Sequence, residues 1–368
     1  MKHGLGLVGV GLLLTACGGS DSSPLSGSGG QGGGAGSSGA SAAGGQAGIG
    51  GQGGLSGQGG AGAAGASGGS GGSPTTPSPL GEGPLATTVY TANATVGATG
   101  STVPLRCHVP EGSGAVPLVV VAHGFQLPAS QYEVTTRHLA GFGFVTCTAD
   151  YPAGFIPNHA NSAKDLLGAI DYLLGASKAA GNPLSGRIDE SQIGLTGHSL
   201  GGKLSVLAAA ADARVRAVLG LDPVDSSMLC SPTDCPDASD KLPLPIPTAF
   251  LGETLDSTAT GFGQACAPAA DNFQTFYAKA SAPSLEVTLI GANHMSFLDD
   301  PSTCGTVCSF CKQPTKPHAE LIAVTRAYLV AFFSRYLRGE LGYDSWLVGA
   351  DAQANFVAPG RVTLASKP

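Results

Sequence analysis

Ile193-Gly194-Leu195-Thr196-Gly197-His198-Ser199-Leu200-Gly201-Gly202 is a short apolar run that ends in Gly-x-Ser-x-Gly and passes directly into a helical pattern. A strand that becomes a helix at one residue needs small side chains two positions before and two after the bend. Gly197 and Gly201 supply them. Ser199, with His198 beside it, is then exposed at the carboxyl edge of a sheet, as in a nucleophile elbow. A serine hydroxyl is a poor nucleophile at neutral pH. It needs a histidine to take its proton, and an acid to fix the tautomer of that histidine and steady its charge. The expected chain order is serine, acid, histidine.

Two histidines follow Ser199. His294, in Gly291-Ala292-Asn293-His294-Met295, comes just after a strand-like run, where a loop leaving the sheet edge brings its ring toward the serine. His318 sits beside Pro317 at a helix start and reads as surface. Three carboxylates compete for the acid: Asp222 at the end of one strand, and Glu253 or Asp256 after the next. Asp225 reads as a turn cap. The chemistry also needs donors for a developing oxyanion. The backbone amide of Leu200 is one candidate, and that of Phe125, after His123-Gly124 at an earlier strand end, is the other. His123 reads as support for that turn.

Working outward, six apolar runs bounded by turn residues read as strands: 118–122, 144–147, 193–196, 217–221, 248–251 and 285–290. Near-continuous hydrophobicity fits strands covered on both faces. Amphipathic stretches over 162–174, 200–211 and 321–337 alternate with them. The pattern predicts an α/β fold: a mostly parallel central sheet flanked by helices. A hairpin over 95–109 is expected to extend one sheet edge.

The chain has 368 residues, 25 acidic against 18 basic, with a formal net charge of −7. Without a Lys/Arg cluster it lacks the footprint that phosphate-backbone binding needs, so no nucleic-acid partner is expected. Of its 58 glycines, 26 fall between Gly18 and Gly72, in a stretch with one acidic residue and no Lys or Arg. That stretch has no strict Gly-X-Y period and too little apolar surface to fold. It reads as a linker over 17–84, with an r.m.s. span of ~45 Å. Residues 1–16 read as a signal peptide whose apolar run is too short to span a membrane. Leu14-Thr15-Ala16-Cys17 resembles a bacterial lipobox, which implies lipid on Cys17 and an address at the cell envelope. Gly18, where Asp is absent, favours the outer membrane. The expected membrane contact is through that lipid alone, holding a monomeric domain over 85–368.

The motifs His123-Gly124-Phe125, Gly197-His198-Ser199-Leu200-Gly201-Gly202-Lys203, Leu221-Asp222-Pro223-Val224-Asp225, Cys266-Ala267-Pro268 and Asn293-His294-Met295-Ser296-Phe297-Leu298-Asp299-Asp300 are similar to those of the chlorophyllase family of α/β-hydrolases and its bacterial relatives. The resemblance implies a serine esterase with Ser199, Asp222 and His294 as triad, and neither metal nor organic cofactor. Leu200, where plant chlorophyllases carry Arg, and Ser296, where they carry Asp, bear on substrate more than on chemistry. A small or polymeric, apolar ester is the expected substrate. A cutinase, polyester hydrolase or lipase of the same plan is the alternative, and a surface-binding lipoprotein without catalysis is another. A neutral histidine base predicts activity falling below roughly pH 6.5.

Beyond Cys17 there are eight cysteines, an even number in an exported chain, so disulfides are expected. The strand order usual in the family puts Cys107 beside Cys147. Cys230 with Cys235 closes a short loop, and Cys266, Cys304, Cys308 and Cys311 staple loops near the histidine. The spacing of Cys304, Cys308 and Cys311 also allows zinc, with a fourth ligand to be found. The tail from Gly342, with the only tryptophan, Trp346, is expected to pack over the domain edge.

Overall fold

The computed structural model describes residues 76–368, apart from 153, 155–156, 226–229 and 260–264. Cys17, the signal segment and most of the linker lie outside the described residues. Nine strands form one sheet: β1 (Thr87–Val96), β2 (Ser101–Pro110), β3 (Val116–Ala122), β4 (Val145–Ala149), β5 (Ile188–His198), β6 (Val215–Leu221), β7 (Thr248–Glu253), β8 (Ser284–Leu289) and β9 (Val362–Lys367). Their order is β1-β2-β4-β3-β5-β6-β7-β8-β9. Pairing is parallel from β4 through β8, and β1, β2 and β9 run antiparallel at the two edges. The hairpin at one edge starts earlier than the sequence predicts, because β1 pairs with β2 from Thr87 onward.

The helices cover both faces, as parallel strands require. On one face α2 (His159–Lys178) and α3 (Leu200–Ala211) bury Leu166, Ile170, Leu173, Leu204 and Leu207 against β2–β6. On the other, α1 (Glu133–Gly141) and α5 (His318–Arg338) bury Leu139, Phe332 and Phe333. Helix α2 begins three residues before its apolar pattern because the Asn158 side chain accepts from the Asn161 N–H at 2.9 Å. Helix α1 has no apolar stripe strong enough to predict it. Its first turn is capped from far away, by Asp299 accepting from the Val134 N–H (2.6 Å) and the Thr135 N–H (3.1 Å). A short helix α4 (Phe273–Lys279) covers β7 and β8.

The tail does pack on the domain. Trp346 and Phe356 lie 6.1 Å apart, and Phe356 lies 5.1 Å from Tyr328 of α5. It then returns as β9, which pairs with β8 over Ser284–Leu289. Strand β3 has β4 on one side and β5 on the other, so the crossover from β3 to β4 and the next one, from β4 back past β3 to β5, run in opposite directions across the sheet. A crevice opens at the carboxyl ends of strands at such a switch point, and Ala122 and Gly197 are register partners there.

Candidate active site

Ser199 follows β5 and caps α3 with φ 55° and ψ −119°, a conformation that L side chains rarely adopt. The neighbours explain why the turn is Gly-bounded. A Cβ on Gly197 would collide with the Gly201 backbone, and a Cβ on Gly201 would collide with the Ala122 carbonyl. Among the described residues, only Gln126, Ser199 and Asp222 combine a non-glycine side chain with positive φ. All three stand at carboxyl ends of neighbouring strands, where the sheet presents its chemistry.

The turn is pinned from below. Its amide donates to the Leu221 carbonyl at 2.9 Å. Lys203, fully buried, donates from Nζ to the Asp225 carbonyl (2.6 Å) and lies 3.3 Å from Asp225 Oδ1. The Asp225 carboxylate also accepts from the Ala238 and Ser239 amides at 2.7 and 2.8 Å, so it caps a turn as expected, and pairs with Lys203 as well.

His294 sits on the loop after β8, and its Nδ1 is 2.6 Å from Asp222 Oδ2. Both residues are buried, Asp222 completely. Burial pulls the His294 pKa down, but the bonded Asp222 carboxylate, with Glu253 and Asp256 behind it, outweighs burial and holds it above its ordinary value. The two rival acids are engaged elsewhere. Asp256 Oδ2 accepts from the backbone N–H of His294 (2.9 Å), and its Oδ1 from that of Lys312 (2.8 Å). Glu253 Oε2 accepts from the amides of Leu255 and Asp256. Burial, then the nearby Asp222 charge, pushes the Glu253 carboxyl up to about 8. Asp256 therefore holds the histidine loop by its main chain, while Asp222 meets the ring.

Phe125 and Leu200 line one cleft of about 240 Å³, together with Pro157, Asn158, His159 and Ser162. The Leu200 N–H is a first-turn amide that helix α3 has no acceptor for. The described lining is mixed, less apolar than the sequence suggests, because the polar N-terminal turn of α2 faces the cleft. His123 supports the loop before Phe125, as expected: its ring stacks on Tyr151 at 4.0 Å, and its nitrogens face the Gly124 and Tyr151 carbonyls. Sequence reading missed Tyr132, whose hydroxyl accepts from the Gly124 N–H and meets His198 Nδ1 at 2.9 Å. It also missed the anchoring role of Asp299, which binds Arg326 as well as α1. No short motif marks Tyr132, and Asp299 stands in the motif around His294 with nothing local to show that it caps α1.

Cysteines pair as Cys107–Cys147, Cys230–Cys235, Cys266–Cys311 and Cys304–Cys308. Cys107 and Cys147 are direct register partners on β2 and β4. The spacing that allowed zinc is taken up by two of these bridges. Asp256 lies against Cys266 and Cys311, but that pair is a disulfide and both carboxylate oxygens hold backbone amides.

The sheet order, with an elbow at the switch point and a histidine after the last parallel strand, is that of an α/β-hydrolase. Comparison with known proteins narrows the class. The chain belongs to the chlorophyllase family, which it matches over residues 76–358. It is 26% identical to chlorophyllase-1 of Arabidopsis thaliana over 250 residues, covering 64% of this chain and 77% of that protein. Chlorophyllase-2 of the same plant is 24% identical over 253 residues, covering 63% and 76%. A bis(hydroxyethyl) terephthalate hydrolase of Streptomyces coelicolor is 27% identical over 238 residues, covering 64% and 61%.

Proposed function

We propose that the chain is a serine ester hydrolase working through Ser199, His294 and Asp222. Ser199 Oγ attacks the ester carbonyl carbon as its proton passes to His294 Nε2, and Asp222 holds the Nδ1 proton and steadies the imidazolium. The negative charge on the tetrahedral oxygen is received by the Phe125 and Leu200 amides. Collapse releases the alcohol, which takes the proton from His294. Water then repeats the sequence on the acyl-enzyme and frees the acid.

The observation that carries the reading is the 2.6 Å contact between His294 Nδ1 and Asp222 Oδ2, made by two buried groups at the end of a sheet whose neighbouring strand carries the strained serine. The family and the terephthalate hydrolase relative support an ester as substrate. The cleft of about 240 Å³ falls below the ~300–1,000 Å³ usual for drug-sized ligands, so it suits a compact ester end rather than an entire large substrate. A second reading, a hydrolase of small aromatic diesters, is favoured by that same relative and by the mixed lining of the cleft. The lipobox-like segment ending at Cys17 supports a lipid tether at the bacterial cell envelope, and the eight remaining cysteines support an exported domain.

The test is hydrolysis of p-nitrophenyl butyrate by the purified full chain beside its Ser199→Ala variant. Turnover that falls to background in the variant is the expected result. A folded parent protein with no turnover on this or on terephthalate diesters would instead favour a binding lipoprotein.

A further inference from the structure

Two buried side chains at the site take no part in the proposed chemistry. The Gly124 N–H lies 3.1 Å from Tyr132 Oη, Tyr132 Oη lies 2.9 Å from His198 Nδ1, and His198 Nε2 lies 2.8 Å from the His294 carbonyl oxygen. A backbone amide can only donate and a carbonyl can only accept, so the two end bonds have fixed directions, and with a neutral His198, whose Nδ1 is then the acceptor, the middle bond runs from Tyr132 to His198. Tyr132 accepts from Gly124 and donates to His198, and His198 carries its proton on Nε2 and donates to His294. The series needs a neutral His198 and a protonated Tyr132. Burial, with the neighbouring His294, holds the His198 pKa well below its ordinary range, and burial raises that of the Tyr132 phenol.

The series also has no slack. Tyr132 is 1% exposed and His198 0%. A Cβ on Gly124 would stand 3.1 Å from His198 Nδ1 and 3.4 Å from Tyr132 Oη, so the two side chains lie against a bare Cα. The His198 and His294 rings are 4.6 Å apart. The residue before the serine in the elbow is therefore a joint between the loop that carries Phe125 and the loop that carries His294.

We infer that Tyr132 and His198 are positioning residues: their hydrogen-bonded series sets the spacing between the Phe125 loop and the His294 loop across Ser199. The inference rests on the serine-hydrolase reading above, because it assigns those loops the oxyanion donor and the base. Neither side chain touches substrate in this account. What they supply is a fixed separation between two groups that must act on the same atom pair, where an error of about 1 Å can lower the rate about a hundredfold.

The test uses the full chain and three measurements. Tyr132→Phe keeps the ring and removes the hydroxyl, and kcat for p-nitrophenyl butyrate is expected to fall about 10- to 100-fold with KM within about twofold. A role in stability alone would lower the melting temperature and leave kcat per titrated active serine unchanged. Ser199→Ala, run alongside, separates the two readings. If it is inactive and Tyr132→Phe keeps parental kcat, the positioning role is overturned and the serine mechanism stands; if it remains active, both fall. ¹⁵N NMR of the histidines in the unsubstituted protein needs no variant to fold. It should find His198 protonated on Nε2, with Nδ1 hydrogen-bonded and no titration between pH 5 and 9. A proton on Nδ1, or a titration in that range, would overturn the series.

Discussion

Replacing Asp222 by Asn tests the acid assignment most directly, because the two side chains have the same shape and differ in charge. In the resting protein the Asp222 carboxylate meets His294 Nδ1 at 2.6 Å in a buried setting. During attack the ring becomes an imidazolium, and a unit charge about 4 Å away at an effective dielectric near 20 is worth about 4 kcal/mol. At 1.36 kcal/mol per tenfold, losing it lowers kcat about a thousandfold. Charge loss also lets the His294 pKa fall, since Asp222 is the foremost of the groups holding it up. The acid limb of the residual activity should therefore move to lower pH. The assay is the pH dependence of p-nitrophenyl butyrate hydrolysis, normalised to serine titrated with a fluorophosphonate. The reasoning is refuted if Asp222→Asn stays within about threefold of the parent, or if Glu253→Gln or Asp256→Asn produces the thousandfold loss in its place.

As the proposed base, His294 must be neutral to act, and its carboxylate neighbours raise its pKa, so the acid limb should have its midpoint above 6.5, higher than the sequence alone suggested; a midpoint at or below 6.5 would contradict this. Glu253 loses its proton near pH 8, which places a second negative charge beside Asp222 above that pH. Glu253→Gln should therefore leave kcat at pH 7 within about threefold and remove any inflection near pH 8, read from the same profile. Lys203→Met leaves the Asp225 carboxylate buried without its cation, and such a break typically costs about 3–5 kcal/mol; urea unfolding should register it, and a loss under about 1 kcal/mol would mean that the pair carries little of the load.

The elbow was legible because its motif is local, with Gly197, Ser199 and Gly201 inside five residues, although the backbone that excludes a side chain at Gly201 belongs to Ala122 of β3. His294 was legible because a polar loop follows an apolar strand. The choice of Asp222 over Glu253 and Asp256 rested on the family resemblance, since all three lie at strand ends and only the side-chain directions separate them. In the fold, the six buried strands stood out by composition, whereas β9 and α1 did not. Strand β9 is six residues with one fully buried side chain, Val362, and it is held by pairing with β8 beyond the tail segment that packs on α5. Helix α1 depends on Asp299, more than 160 positions away in sequence, to satisfy its first amides. Tyr132 was invisible for the same reason, since its partners at Gly124 and His198 meet only when β3 and β5 become neighbours.

The same dependence explains why polar groups lie beneath the serine. Positive φ at Gln126, Ser199 and Asp222 costs roughly 1–3 kcal/mol at each, and persists only where surroundings over-determine the backbone. Apolar packing is poor at this task because it is non-directional. Hydrogen bonds aim, and every strained segment here is held by them: the Ser199 amide to Leu221, the Asp222 amide to Leu251, the Lys203 ammonium to the Asp225 carbonyl, and the Gly124 amide to Tyr132. An apolar residue at Lys203 would keep the volume yet leave the Asp225 carbonyl and carboxylate without their cation, and that carboxylate caps the Ala238–Ser239 turn. The charge under the elbow thus reaches outward into the loop that follows β6, so one buried lysine ties the placement of the serine to that of the loop leading away from Asp222.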